Sequence, residues 1–109
     1  MKRDALTLAP RFAGADHRVF VGLALDGARV IGVHVETGTE GLAIHEHART
    51  AAALADLALR YGAPVAEVAE LLRETRGEHP APRAVEDVEG VAEAWGILDL
   101  VGQILEVQR

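Results

Sequence analysis

The stretch from Ala48 to Gly62 (ARTAAALADLALRYG) constrains the fold more than any other part of the chain. It reads as one helix, apolar over more than half its circumference. Leu54, Leu57, Ala58 and Tyr61 recur at helical spacing, and Ala51, Ala55 and Leu59 widen the stripe. Polar groups are confined to Arg49, Thr50, Asp56 and Arg60. A helix this apolar cannot rest on the surface of a small domain, so it is expected to be the central one. Gly62 is its expected stop, because glycine takes the left-handed conformation at a helix C-terminus without a Cβ penalty.

Two strands precede it, Arg18 to Leu25 and Arg29 to Glu36, with Asp26-Gly27 between them as a hairpin signal. A three-residue loop pairs Val19 with Val35, Val21 with Val33 and Leu23 with Ile31, placing six aliphatic residues on one face. It also sets Arg18 opposite Glu36. A tighter Asp-Gly turn would mix the faces, and a one-residue slip exchanges buried and exposed sets, so the longer loop is expected. A lone hairpin is marginal in water. A third strand is expected from the Leu6–Leu8 segment or from another subunit.

The remaining elements follow by punctuation. Residues 1–17 read as an N-terminal arm or edge strand, 18–36 as the hairpin, and 45–75 as two helices separated at Gly62-Ala63-Pro64. Residues 77–86 form a proline-bearing connector, and 87–107 one last helix. In that helix Val88, Val91, Ala92, Trp95, Leu98, Gly102 and Leu105 share a stripe. Gly96 and Gly102 each cost it about 1 kcal/mol relative to alanine, which makes sense where another backbone comes close. The reading is a single α+β domain over residues 1–109: an antiparallel hairpin or three-stranded meander with one face covered by three helices. Aromatics are only 4% of the chain, so tight approach must replace bulky packing.

Composition excludes several function classes. The net charge of −6 argues against nucleic-acid binding, which needs basic groups on phosphates. Neither cysteine nor serine occurs, removing the commonest nucleophiles, and no phosphate-loop pattern is present. No apolar run has signal-peptide or membrane-spanning length. A cytoplasmic protein that is not an enzyme, with no catalytic, cofactor-binding or metal residues and no membrane contact, is expected.

The histidines are the candidates for chemistry. His45 and His47 are two residues apart, so on a helix they diverge by about 200°. A metal site would need a third ligand from His34, Glu36 or Glu46. His34 and Glu36 share a strand face, and the ordinary reading of that pair is an exposed ion-pair face that includes Arg18. His17 and His79 carry no signal.

The segment Arg18–Leu72 resembles the TSCPD domain, found at the C-terminus of vitamin B12-dependent ribonucleotide reductases and as short stand-alone bacterial proteins. The similarity lies in the hairpin with a central Asp-Gly (VFVGLALDGARVIGVHV), a glycine-containing loop, and the run ARTAAALADLALRYGAPVAEVAELL. The final AWGILDLVGQIL is similar to the tail of the stand-alone members. The family's cysteine-bearing signature is absent, and its Leu-Ser-Leu-Ala-Leu core appears as Leu54-Ala55-Asp56-Leu57-Ala58-Leu59. A redox or metal role tied to those cysteines is therefore not carried over. The resemblance implies a small non-catalytic module, a reductase accessory or regulator that binds protein. The alternatives are a small-ligand or metal-binding protein using His34, His45 and His47, or a structural subunit of an oligomeric or phage-like assembly. Phe20, Val30, Ile97, Leu100 and Ile104 are the expected interaction surface, serving self-association (a homodimer or larger) or a protein partner.

Overall fold

The computed structural model describes residues 3–37, 43–74 and 81–108. The glycine-broken loop at 38–42 and residues 77–80 of the expected connector lie outside them. The chain runs β1 (Arg3–Leu8), β2 (Arg11–Phe12), β3 (Val19–Asp26), β4 (Arg29–Thr37), α1 (Ala43–Arg60), α2 (Val65–Glu74), β5 (Arg83–Glu86), β6 (Glu93–Ala94) and α3 (Ile97–Val107). Two antiparallel three-stranded sheets form, in the orders β1-β3-β4 and β2-β5-β6, so the fold is α+β. No helix among the described residues is long and apolar enough to cross a membrane.

β1 supplies the third strand of the larger sheet, pairing Leu6 with Leu23 and Leu8 with Val21. Val19, Val21 and Leu23 of β3 and Val33 and Val35 of β4 turn to the buried face, as alternation requires. The pairing itself differs from the expected register. Val21 lies opposite Val35, Leu23 opposite Val33, and Asp26 opposite Arg29 across a two-residue turn. That turn places glycine first, with Gly27 at φ +62°, as a type II′ hairpin needs. Between the Ala24–Gly32 and Leu25–Val30 pairs the register shifts by one, leaving Ile31 as a bulge. The result is a slip of two residues over most of the ladder. A slip of two returns every side chain to its own face, so the face argument is blind to it.

The last third of the chain departs further. The expected helix over 87–107 exists only from Ile97 onward. Before it, β5 and β6 pair as a short hairpin, with Arg83 opposite Ala94. Val88, Val91 and Trp95 imitate helical spacing, but Asp87 and Gly90 take φ of +66° and +84°, which an α-helix cannot contain. Gly96 is the N-cap residue of α3, not an interior glycine.

Gly102 is where the two last helices meet. A Cβ there would stand 2.8 Å from the Ala69 carbonyl oxygen and 2.7 Å from Arg73 Cγ. α2 and α3 thus pack backbone to backbone, and Leu100, Val101, Ile104 and Leu105 join Val21, Leu23 and Val35 in one core.

Three substitutions test this packing in denaturant titration. Gly102→Ala should destabilise by about 1–3 kcal/mol, since overpacking outweighs the gain of about 1 kcal/mol in helix propensity; a stabilised variant would mean the helices are further apart. Val21→Asp should unfold the domain by burying an unpaired carboxylate, whereas Arg18→Ala should cost well under about 1 kcal/mol.

Candidate functional site

α1 has two apolar sides, and they face opposite ways. Ala48, Ala52, Ala55 and Leu59 are buried, and the helix packs chiefly on β4. Alanines let helix and strand approach closely enough for Asp56 Oδ1 to accept a hydrogen bond from the Val33 backbone N–H at 2.9 Å. β4 is an edge of the sheet, so this carboxylate satisfies a donor that has no strand beside it. Arg60 Nε lies 3.1 Å from the other oxygen of Asp56, one helical turn on.

The opposite side carries Leu54, Leu57 and Tyr61, which are 63%, 44% and 86% exposed. The apolar stripe read from the sequence is thus divided: Ala55 and Leu59 face the core, while Leu54, Leu57 and Tyr61 do not. Three of the four buried positions are alanine, which suits the close contact with β4. α1 is also not the central helix. The helix of fully buried side chains is α3, which packs against α2 and also meets α1 and β6.

The surface expected from sequence is redistributed accordingly. Phe20 is 43% exposed on the face of the sheet turned away from the core. Ile97 is half-buried and packs against the core. Val30 is corrected: the bulge at Ile31 rephases the strand and turns it inward, 2% exposed. Leu100 and Ile104 are corrected too, because the close α2–α3 contact places them in the interior.

His34 Nε2 and Glu36 Oε1 are 2.9 Å apart, and Arg49 Nη2 approaches the same oxygen at 3.8 Å. Arg18 is not their partner. It binds Asp87 Oδ2 at 2.6 Å and the Ala9 carbonyl at 2.8 Å, tying β3 to the smaller sheet. An open cleft of about 530 Å³ lies beside His34, between β4 and α1, lined also by Glu46, Arg49, Thr50 and Asp56. The His34 side chain is 71% exposed, and water competes for every bond it makes. His45 and His47 both fall on α1; His47 is exposed, and the His45 side chain lies outside the described residues. Among the described residues no group of three or more His, Cys, Asp or Glu is placed to hold a metal ion.

One polar cluster was missed by sequence reading. Asp99, only 3% exposed, accepts from the Trp95 N–H at 2.9 Å and from Gln103 Nε2 at 3.1 Å, and meets Arg73 Nε at 3.3 Å. Arg73 Nη1 reaches Glu106 at 2.8 Å. Desolvation lowers the Arg73 pKa, but the charge of Glu106 and the hydrogen bonds to Asp99 and Glu106 outweigh it and raise the value overall. The aspartate sits in the first turn of α3 and clamps α2 to it. Its four-residue spacings to Trp95 and Gln103 were the available signal. The cluster is a structural staple.

What fold and site define together is a small α+β module whose most distinctive exposed feature is the second apolar face of α1. The family model of the TSCPD domain matches residues 3–108, nearly the whole chain, and the chain belongs to that family. No curated protein and no solved structure matches it.

The purified protein is expected to carry no stoichiometric zinc, nickel or copper by elemental analysis. His34→Ala combined with His47→Ala should leave its melting temperature within about 2 °C of the parent, as exposed polar changes do. One tightly held metal per chain, lost in the double variant, would contradict this.

Proposed function

We propose that this protein is a non-catalytic, cytoplasmic accessory module that works by binding protein, in association with a vitamin B12-dependent ribonucleotide reductase. Membership of the TSCPD family supports the link to the reductase. The observation that carries the binding role is the outward face of α1, where Leu54, Leu57 and Tyr61 stand opposite the helix's own buried side. A helix apolar on both sides is normally covered on both, and exposed apolar patches of a few hundred Å² mark contact sites. The neighbouring charges are already matched within the chain, Arg60 to Asp56 and Arg49 to Glu36, leaving the face itself apolar and neutral. The cleft at His34 offers one hydroxyl, from Thr50, and no thiol, which fits a binding role better than covalent catalysis.

Capture of the reductase's catalytic subunit by the tagged chain is the test. The parent chain should retain the subunit, and Leu57→Glu should weaken retention at least about tenfold, since it places a charge in an apolar contact. Its circular dichroism should stay unchanged, because Leu57 is outside the core. Equal retention by both, or none by the parent, would overturn the reading.

A further inference from the structure

The two edges of the larger sheet end differently. At the β4 edge, α1 packs alongside and Asp56 accepts the Val33 N–H. At the β1 edge no further described strand pairs. β1 runs against β3 without a register shift. From Ala5 to Leu8 it holds no charge, proline or bulge, the devices that ordinarily blunt an edge.

The ladder determines which backbone groups of β1 point outward. Bonded and non-bonded pairs alternate in an antiparallel sheet. Val33 turns its N–H to Asp56, so its pair with Leu23 is non-bonded and the Gly22–His34 pair is bonded. Leu23 and Val21 therefore turn their groups toward β1 and bond Leu6 and Leu8. The Val19 N–H, which meets the Pro10 carbonyl at 2.9 Å, has the same parity. Ala5 and Thr7 are left with N–H and C=O directed away from the sheet, and both residues are exposed. The next outward carbonyl, that of Ala9, is already held by Arg18 at 2.8 Å. The open run is thus short and bounded at its C-terminal end.

Backbone donors and acceptors in this spacing are met by an extended strand, not by an apolar side-chain surface. A second copy's β1 fits them without remainder. Set antiparallel about a twofold axis at Leu6, its Thr7 stands opposite Ala5 and its Ala5 opposite Thr7, so every outward group of these residues is paired. The half-buried Leu6 then meets the second copy's Leu6 on the core face. An axis at Thr7 would instead call on the Ala9 carbonyl that Arg18 occupies. The outer face offers no obstruction, since Ala5, Thr7, Gly22 and Ala24 are all small.

We propose that the β1 edge is a homodimer contact, paired antiparallel with β1 of a second copy about Leu6 to give one continuous six-stranded sheet with the two β4 edges outermost. A symmetric pair of this kind is the commonest closed assembly. One strand pair is small beside the roughly 800 Å² per partner of standard interfaces, so the dimer is reversible. The contact is separate from the α1 face and does not rest on the reading of that face.

Light scattering of the parent at tens to hundreds of micromolar, without reductase, should show a dimer. Thr7→Pro is the matched variant. The Thr7 N–H makes no bond within the ladder, so proline is tolerated there as at other edges. Its circular dichroism should stay unchanged while association weakens at least about tenfold. Thr7→Val, which keeps the N–H, should associate like the parent. Hydrogen exchange of the parent, read by NMR, locates the contact even if the proline variant fails to fold. The Ala5 and Thr7 amides should exchange at least about tenfold more slowly in the dimer than on dilution. A parent that stays monomeric throughout that range would overturn the proposal, as would a dimer in which these two amides exchange freely. Protection that appears only when the reductase subunit is added would overturn the homodimer and give the edge to a strand of that subunit. Leu57→Glu should leave the dimer intact; its loss in that variant would move the contact to α1 and overturn the β1 pairing.

Discussion

With Phe, Trp and Tyr making up only 4% of its residues, the chain cannot fill the space between layers with bulk, and small side chains bring backbones together instead. The contact at Gly102 is the sharpest case. There a hydrogen replaces a side chain, and the Ala69 carbonyl comes within 2.8 Å of where a Cβ would stand. Everything on α3 that fills the interior, from Leu100 to Leu105, is positioned by that approach. The alanine side of α1 against β4 is a second instance of the same solution. Close packing of this sort gains dispersion contacts from backbone atoms and tolerates almost no added volume.

Directional polar contacts then fix what close packing leaves free. Small residues allow two helices to slide past one another, since few knobs enter few holes. Asp99 removes that freedom by engaging Arg73 across the gap, with the Trp95 amide and Gln103 as further donors. A buried carboxylate with three donors around it carries no unsatisfied oxygen, which is the condition under which such a group can be buried at all.

The pattern of what was legible in the sequence follows from these facts. Strand faces in 18–36 could be read because alternation depends only on parity, and parity survives both a slip of two and, for most of β4, the bulge at Ile31. The pairing partners could not, since they depend on turn geometry at Gly27 and on one unpaired residue. Val88, Val91 and Trp95 satisfy a helical template while belonging to a hairpin and its turn; only the left-handed conformations at Asp87 and Gly90 distinguish the two. The breadth of the apolar surface on α1 was recognisable, but which part of it turns inward depends on the distance to β4, and that is a tertiary quantity. Asp99 carries no motif of its own, because its partner Arg73 comes from another helix.

The hydrogen bond from Val33 to Asp56 has a consequence for how the sheet can behave toward other chains. A strand edge is a template with two ends, and a molecule with both ends free can be extended indefinitely into a fibre. Here the helix's own carboxylate occupies one donor on the β4 edge, so a strand added there would have to forgo that bond or displace the aspartate. One side chain reaching across from a helix thus makes the two edges of the sheet unequal as templates.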